Sequence, residues 1–302
     1  SATLFSRILE QVYTVERQVE PTAPLVDMPK GSPPPLTELY PDGQLSRHVC
    51  VVGPTGSGKS TIVRGILCAL CERATLAIYS LEFPVEVSLN THGLFHVCQI
   101  DMFQQVGGKQ RSLQDTANSL LRHDPDLMYF GELRTKTDFE TATSISLSGV
   151  ACISTGHAHS PMDLLERLRA MNIDLSTQFR ALRCIIGVKR VPILCSKCKK
   201  TVYLQGKIQD RALRLFFLYR LVTLGRDKRR QAPPRVCVPG DSQNCSCSGG
   251  YSHTHTIYEF LHIHPGDTLE SLREHHTYST EETLLSLIMQ GQVSPYFLAS
   301  SL

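Results

Sequence analysis

The sequence predicts an α/β protein: a mostly parallel β-sheet with helices on both faces, followed by a small cysteine-containing subdomain and C-terminal helices. Three observations lead there. Residues 51–63 read VVGPTGSGKSTIV, a glycine-rich loop set between an apolar run and a helical pattern. From about residue 46 to 190, short apolar runs alternate with segments of helical period, as in a parallel sheet with crossover helices. After residue 190 the character changes, and cysteines come in closely spaced pairs.

Taken in order, residues 3–19 fit one short amphipathic helix, and 21–35 hold six prolines with a Gly and a Ser, the composition of an extended linker. Segments 1–45 form a first region, 46–190 the α/β core, 191–265 a cysteine subdomain and 266–302 C-terminal helices. In the core, the apolar run at 48–52 reads as a buried strand and 59–73 as a helix. A strand at 74–81, a helix at 112–122, a strand at 127–130, a helix at 137–148, a strand at 150–155, a helix at 161–171 and a strand near 184–189 follow. A helix over 207–224 and two polar helices in 266–302 complete the reading. Ligands of such sheets bind at the carboxyl ends of the strands.

The loop obeys G-x-x-x-x-G-K-[ST] across Gly53, Pro54, Thr55, Gly56, Ser57, Gly58, Lys59 and Ser60, with Thr61 next. Phosphate oxygens need several donors at once, which the backbone amides of Gly56, Ser57, Gly58 and Lys59 supply if they point inward. Lys59 is placed to meet the β- and γ-phosphates, and the Ser60 hydroxyl to ligate Mg²⁺. ATP with Mg²⁺ is therefore the expected ligand.

Length and composition bound the rest. The chain has 302 residues, enough for one large domain and a smaller one. Hydrophobic residues are 41% and charged residues 20%, an ordinary globular balance. Net charge is only +3, which argues neither for nor against nucleic acid. No run of 18 apolar residues occurs. The first residues lack the build of a signal peptide. Eleven cysteines without a secretion signal point to reduced thiols and a metal site rather than a disulfide framework. Cys50, Cys68, Cys71 and Cys152 fall in apolar runs and read as core filler.

A second set of residues surrounds the loop. Leu127 to Phe130 end in Gly131-Glu132, a carboxylate expected at the end of a strand beside the loop's own strand. His157 follows another strand in CISTGHAHS, and Glu82 and Glu86 lie in YSLEFPVEV. Four blocks, GPTGSGKST (53–61), LEFPVE (81–86), DPDLMYFGELRT (124–135) and STGHAHS (154–160), together resemble those of the type II/IV secretion ATPase superfamily. That superfamily includes type II secretion, type IV pilus and conjugation or type IV secretion ATPases. The resemblance covers about 46–200 well and continues weakly to about 265. It implies a RecA-like P-loop core working as a homo-hexamer, cytoplasmic and peripheral at the inner membrane, with an inner-membrane platform protein as partner. It further implies that Glu132 is the Walker B acid, that Glu82 or Glu86 polarises the attacking water, that His157 senses the γ-phosphate, and that Arg134 matches the arginine after the Gly-Glu pair.

Departures from that pattern are Phe83 for an aspartate, Thr135 for an aspartate, and Val150 where many members have a second histidine. His159 is expected to face solvent. Fewer than 50 residues precede the loop strand, too few for the family's N-terminal domain, so the chain is expected to be a fragment or a shortened branch, and arginine fingers are left unassigned.

Cys195-x-x-Cys198 has the spacing that turns two sulfurs to one metal, and Cys245 and Cys247 follow, with 46 residues between Cys198 and Cys245. Relatives carry a paired-cysteine zinc module here, followed by a block that GGYSHTHTIYEFL (249–261) resembles. Because the second pair is C-x-C, Cys237 is an alternative fourth ligand. The expected zinc is structural, since four thiolates leave no open position. The apolar face of the 207–224 helix is read as packing on the core rather than as a docking surface, and the basic run at 226–235 as a solvated loop.

The leading reading is an ATP-hydrolysing hexameric motor of a bacterial secretion, conjugation or pilus machine, leaning toward conjugation or type IV secretion. A nucleotide-binding scaffold without turnover and a nucleic-acid motor on the same fold are the alternatives. Direct nucleic-acid binding is not expected, since no basic-aromatic groove pattern is present.

Overall fold

A computed structural model describes residues 48–71, 76–86, 88–89, 97–103, 105–106, 109–203, 235–240, 245–264, 266–274 and 280–299. The expected helices at 3–19 and 207–224, the linker at 21–35 and the basic run through 234 lie outside the described residues. Contacts divide the chain into two compact units, Ser1–Gly187 with Phe260–His276, and Val188–Glu259 with Thr277–Leu302. The first cut falls close to the expected boundary at 190. The tail divides between the two units instead of forming a segment of its own.

The first unit is built on parallel strands. Strand β1 (His48–Val52) leads through the glycine-rich loop into helix α1 (Lys59–Cys71). Strands β2 (Ile78–Glu82) and β3 (Val97–Asp101) follow, then the short strands β4 (Gln105–Val106) and β5 (Lys109–Gln110), which pair with each other. Helix α2 (Leu113–Leu120) starts on a Ser112 cap and runs into a short 3-10 turn, Leu121–His123. Strand β6 (Leu127–Phe130), helix α3 (Lys136–Leu147), strand β7 (Ala151–Gly156), helices α4 (Pro161–Ala170) and α5 (Leu175–Ala181) and strand β8 (Leu182–Leu194) complete the run.

Strand β11 (Tyr251–His262) joins the main sheet, whose order is β11-β8-β1-β7-β6-β2-β3. All neighbouring pairs from β8 to β3 are parallel. β1, β6 and β7 are buried along their whole length; β6 is the unbroken apolar run expected of a central parallel strand, while β1 opens on the buried His48 and β7 carries the buried Ser154 and Thr155 toward its end. The order corrects one expectation. Glu132 follows β6, which is not beside β1: β7 lies between them, so the histidine block sits next to the loop and the carboxylate one strand further. Strand order is set by crossover connections that leave no local pattern in sequence.

In the second unit β9 (Lys200–Tyr203) pairs antiparallel with β10 (Arg235–Val238). Its core gathers Val191, Val236, Val238, Ile257, Leu284, Leu287, Ile288 and Val293. The tail carries three short helices among the described residues, not two: α6 (Leu269–Glu274), α7 (Thr280–Met289) and α8 (Pro295–Ala299). They are not polar throughout: Leu269 and Leu272 are buried in the first unit's core, and Leu284, Leu287 and Ile288 in the second's. Among the described residues no helix is long and apolar enough to cross a membrane.

Candidate functional site

The carboxyl ends of β1, β7, β6 and β2 lie in register. Val52 pairs with Gly156, Phe130 with Ser154, and Leu81 with Phe130. The residues that follow these strands therefore emerge side by side: the glycine-rich loop, His157, Gly131-Glu132, and Glu82 at the end of its strand.

In the loop, Gly56 and Gly58 have φ of 77° and 99°, a region that side chains rarely adopt. This turns the chain so that helix α1 starts at Lys59, and the amides of Lys59, Ser60 and Thr61 have no partner within the helix. Lys59 is buried and bends back, its ammonium donating to the carbonyls of Gly53 at 2.8 Å and Pro54 at 3.0 Å. Burial pulls its pKa below the ordinary lysine value, and the Glu132 carboxylate opposes that fall. The Ser57 hydroxyl is buried with no hydrogen-bond partner among the described residues. Open amides, a desolvated ammonium and an orphaned hydroxyl around one loop fit a polyphosphate with its cation.

Glu132 is shared by two neighbours. His157 Nε2 lies 3.0 Å from its Oε1, and the Arg134 guanidinium donates to its Oε2 at 2.5 Å. The bond to Glu132 is the main reason that the Arg134 pKa is raised. Residues that sequence reasoning missed hold this cluster. The Thr155 hydroxyl donates to the Gly131 carbonyl. Arg167, from α4, donates to the His157 carbonyl at 2.6 Å and to the Arg134 carbonyl at 3.5 Å. Asp138 accepts from the Arg134 and Thr135 amides at 3.0 and 2.8 Å. Thr135 and Asp138 form a capping box at the start of α3, so the position that departs from the acidic pattern has a structural job. The T-x-x-D spacing before an apolar run was the signal for it. His159 is exposed, as expected.

The acidic block divides. Glu82 is held by Ser80 and Gln99, while Glu86 is exposed on the following loop. Phe83, a second departure, packs against the core, which a charged aspartate could not do there without a partner; Val150, the third, packs there too. Gly131 allows the close approach of β2: a Cβ there would meet Glu82 Cα at 3.0 Å and the Leu81 carbonyl oxygen at 3.1 Å.

In the second unit the sulfurs of Cys195, Cys198, Cys245 and Cys247 all lie within 4.8 Å of one another. Cys195 Sγ is 3.5 Å from Cys245 Sγ, and Cys198 Sγ is 3.4 Å from Cys247 Sγ. A tetrahedral zinc with bonds of about 2.3 Å needs sulfurs about 3.8 Å apart, so the set fits. The C-x-C spacing does not keep its two sulfurs apart from the first pair. Gly249 and Gly250, at φ of 59° and 88°, turn the chain after Cys247, and the Gly250 carbonyl accepts from the Cys195 amide at 2.8 Å. Cys237 is not in the cluster; it sits on β10 with its sulfur 3.8 Å from the Thr201 hydroxyl. The backbone amide of Lys197 is the main cause pulling the Cys195 thiol down to about 7. Cys50 and Cys152 are fully buried, as core filler should be.

A parallel sheet with this loop at the end of a central strand and an acid and a histidine on the next two defines a RecA-like P-loop ATPase fold. The pilus retraction motor PilT with bound ADP shares that fold, with a TM-score of 0.55 and 20% identity over 93% of this chain and 68% of PilT. The chain belongs to the type II/IV secretion system protein family, whose pattern it matches over residues 43–291. The putative type II secretion system protein E of Escherichia coli K12 is 34% identical over 153 residues, 50% of this chain and 29% of that one. The type IV pilus assembly ATPase PilB of Acinetobacter baylyi is 27% identical over 216 residues, 71% of this chain and 34% of PilB. The matched stretches thus span about a third of each of these relatives, 29% and 34%.

Proposed function

We propose that this chain is the ATP-hydrolysing part of a hexameric motor. It would power a bacterial secretion, conjugation or type IV pilus machine at the cytoplasmic face of the inner membrane, through a platform protein there. The observation that carries this reading is the His157–Glu132 pair at 3.0 Å, whose carboxylate also acts on the loop lysine Lys59. A phosphate-binding loop alone needs no such acid nearby; a site that directs water at a phosphate does.

Bound Mg-ATP supplies the scissile phosphoanhydride and the cation that neutralises its oxygens. The loop amides and Lys59 hold the phosphates, with Lys59 exchanging the Gly53 and Pro54 carbonyls for phosphate oxygens. The Ser60 hydroxyl holds the cation. Glu132 orients the attacking water, and Glu82 or Glu86 accepts its proton. His157 reports the state of the γ-phosphate to Glu132, and Arg134 balances the carboxylate's charge. The four clustered cysteines hold a structural zinc, which would explain how a unit with a small core keeps its shape.

Steady-state ATP hydrolysis measured against chain concentration, with Mg²⁺, tests the proposal. A rate per chain that climbs with concentration is expected, because subunit contacts complete the site. Bound nucleotide with no turnover at any concentration would replace the motor by a scaffold. Stimulation by single-stranded DNA would favour a nucleic-acid motor.

A further inference from the structure

In the β2–β3 register Ser80 lies opposite Gln99, and Glu82 shares the face of Ser80 two residues on. The three side chains meet. The Ser80 hydroxyl donates to Glu82 Oε1, and Gln99 Nε2 donates to the same oxygen at 2.8 Å. The other end of the glutamine, Oε1, accepts from the Leu89 amide at 2.6 Å. Only one orientation of the amide satisfies both contacts: its NH₂ must face the carboxylate and its oxygen the backbone N–H.

Leu89 is itself buried at 1% exposure, and Phe83 packs on the core, so the segment carrying Glu86 is pinned at both ends. The strand also fixes Glu82 through its carbonyl, which accepts from the Met102 amide at 2.8 Å. Gln99 is the only side chain among these contacts that reaches both the carboxylate of Glu82 and the backbone of the loop beyond it.

We propose that Gln99 is a positioning residue for the acidic block, holding the Glu82 carboxylate and the Glu86 loop as one hydrogen-bonded unit. This rests on the reading of Glu82 and Glu86 given under the proposed function. Both donors act on Oε1, which restricts rotation of the carboxylate. Gln99 also lines a cavity of about 490 Å³ at the sheet's edge, together with Val85, Ser88, Asp101 and Arg111. The bridge is therefore close to solvent, and exchange of the Leu89 amide reports on it directly.

Two variants test the proposal. Gln99→Leu removes both contacts; kcat should fall about tenfold, the scale seen when a partner that orients a functional group is lost, with KM for ATP within about twofold. Its Leu89 amide should exchange with deuterium at least about tenfold faster than in wild type. Gln99→Glu keeps the size but sets a second carboxylate against Glu82. Two carboxylates this close resist joint ionisation, so the acid limb of the kcat–pH profile should move up by about one pH unit. A merely structural loss would lower the rate at every pH alike. Unchanged Leu89 exchange in Gln99→Leu overturns the bridge whatever the turnover. Faster exchange with wild-type kcat, and an unmoved profile in Gln99→Glu, overturns its role in positioning. A wild type that binds but never hydrolyses ATP removes the ATPase reading instead, and the Leu89 amide then decides whether the bridge exists.

Discussion

His48 opens β1 and is 1% exposed. Its Nε2 lies 2.8 Å from the Ser154 hydroxyl, and its Nδ1 has no partner among the described residues. Burial lowers its pKa from 6.5 to about 4. Above pH 6.5 the ring is neutral in both the folded and the unfolded chain, and its contribution to stability is complete. As pH falls below that, the unfolded chain takes up a proton that the folded chain refuses until about pH 4. The unfolded state then binds more protons, so stability drops as pH drops. A gap of about 2.5 pH units corresponds to about 3 kcal/mol lost by pH 4, at about 1.4 kcal/mol per unit. Urea unfolding of wild type and His48→Gln between pH 7.5 and 4.5 measures this, since glutamine can still bond Ser154 but does not titrate. Carboxylates and the buried His262, whose pKa burial also lowers, act equally on both proteins. The wild-type curve should fall more steeply by about 1 kcal/mol per pH unit within the window. Parallel curves would refute the account of a buried, neutral His48.

Other outcomes follow from the site. Lys59→Ala should cut ATP affinity at least about tenfold, seen by fluorescent-nucleotide titration, because it removes the buried ammonium that the proposed function assigns to the phosphates. Gly131→Ala forces a methyl against the β2 backbone at 3.0–3.1 Å, and should cost about 1–3 kcal/mol in unfolding experiments while lowering turnover, since Glu82 and Glu132 flank the strain. Metal analysis should find about one zinc per chain; Cys247→Ser should lower that content, whereas Cys237→Ser should leave it unchanged.

Much of this was legible in the sequence. Residues 48–52 and 127–130 are strands with the expected bounds, because central parallel strands are apolar on both faces. The loop, Glu132 and His157 could be singled out from strand-end placement and the resemblance of four blocks, and the structure puts Glu132 and His157 3.0 Å apart. β3 was missed: VCQID is an edge strand of mixed polarity with no clean alternation. β8 was expected only near 184–189, since Lys189, Arg190 and Pro192 break its apolar run, yet it extends from Leu182 to Leu194. The order of β1, β7 and β6 was not readable, and Gln99 left no signal at all. Its partners lie 17 residues back, at Glu82, and 10 residues back, at Leu89, and only the folded register brings the three together.

The most direct test of the central claim compares wild type with Glu132→Gln, measuring Mg-ATP binding and hydrolysis side by side. Glutamine keeps the shape of the side chain but not its charge. The account predicts ATP affinity within a few-fold of wild type and turnover reduced at least about a hundredfold. Equal turnover in the two proteins would contradict it, removing Glu132 from the chemistry and with it the site built around the loop.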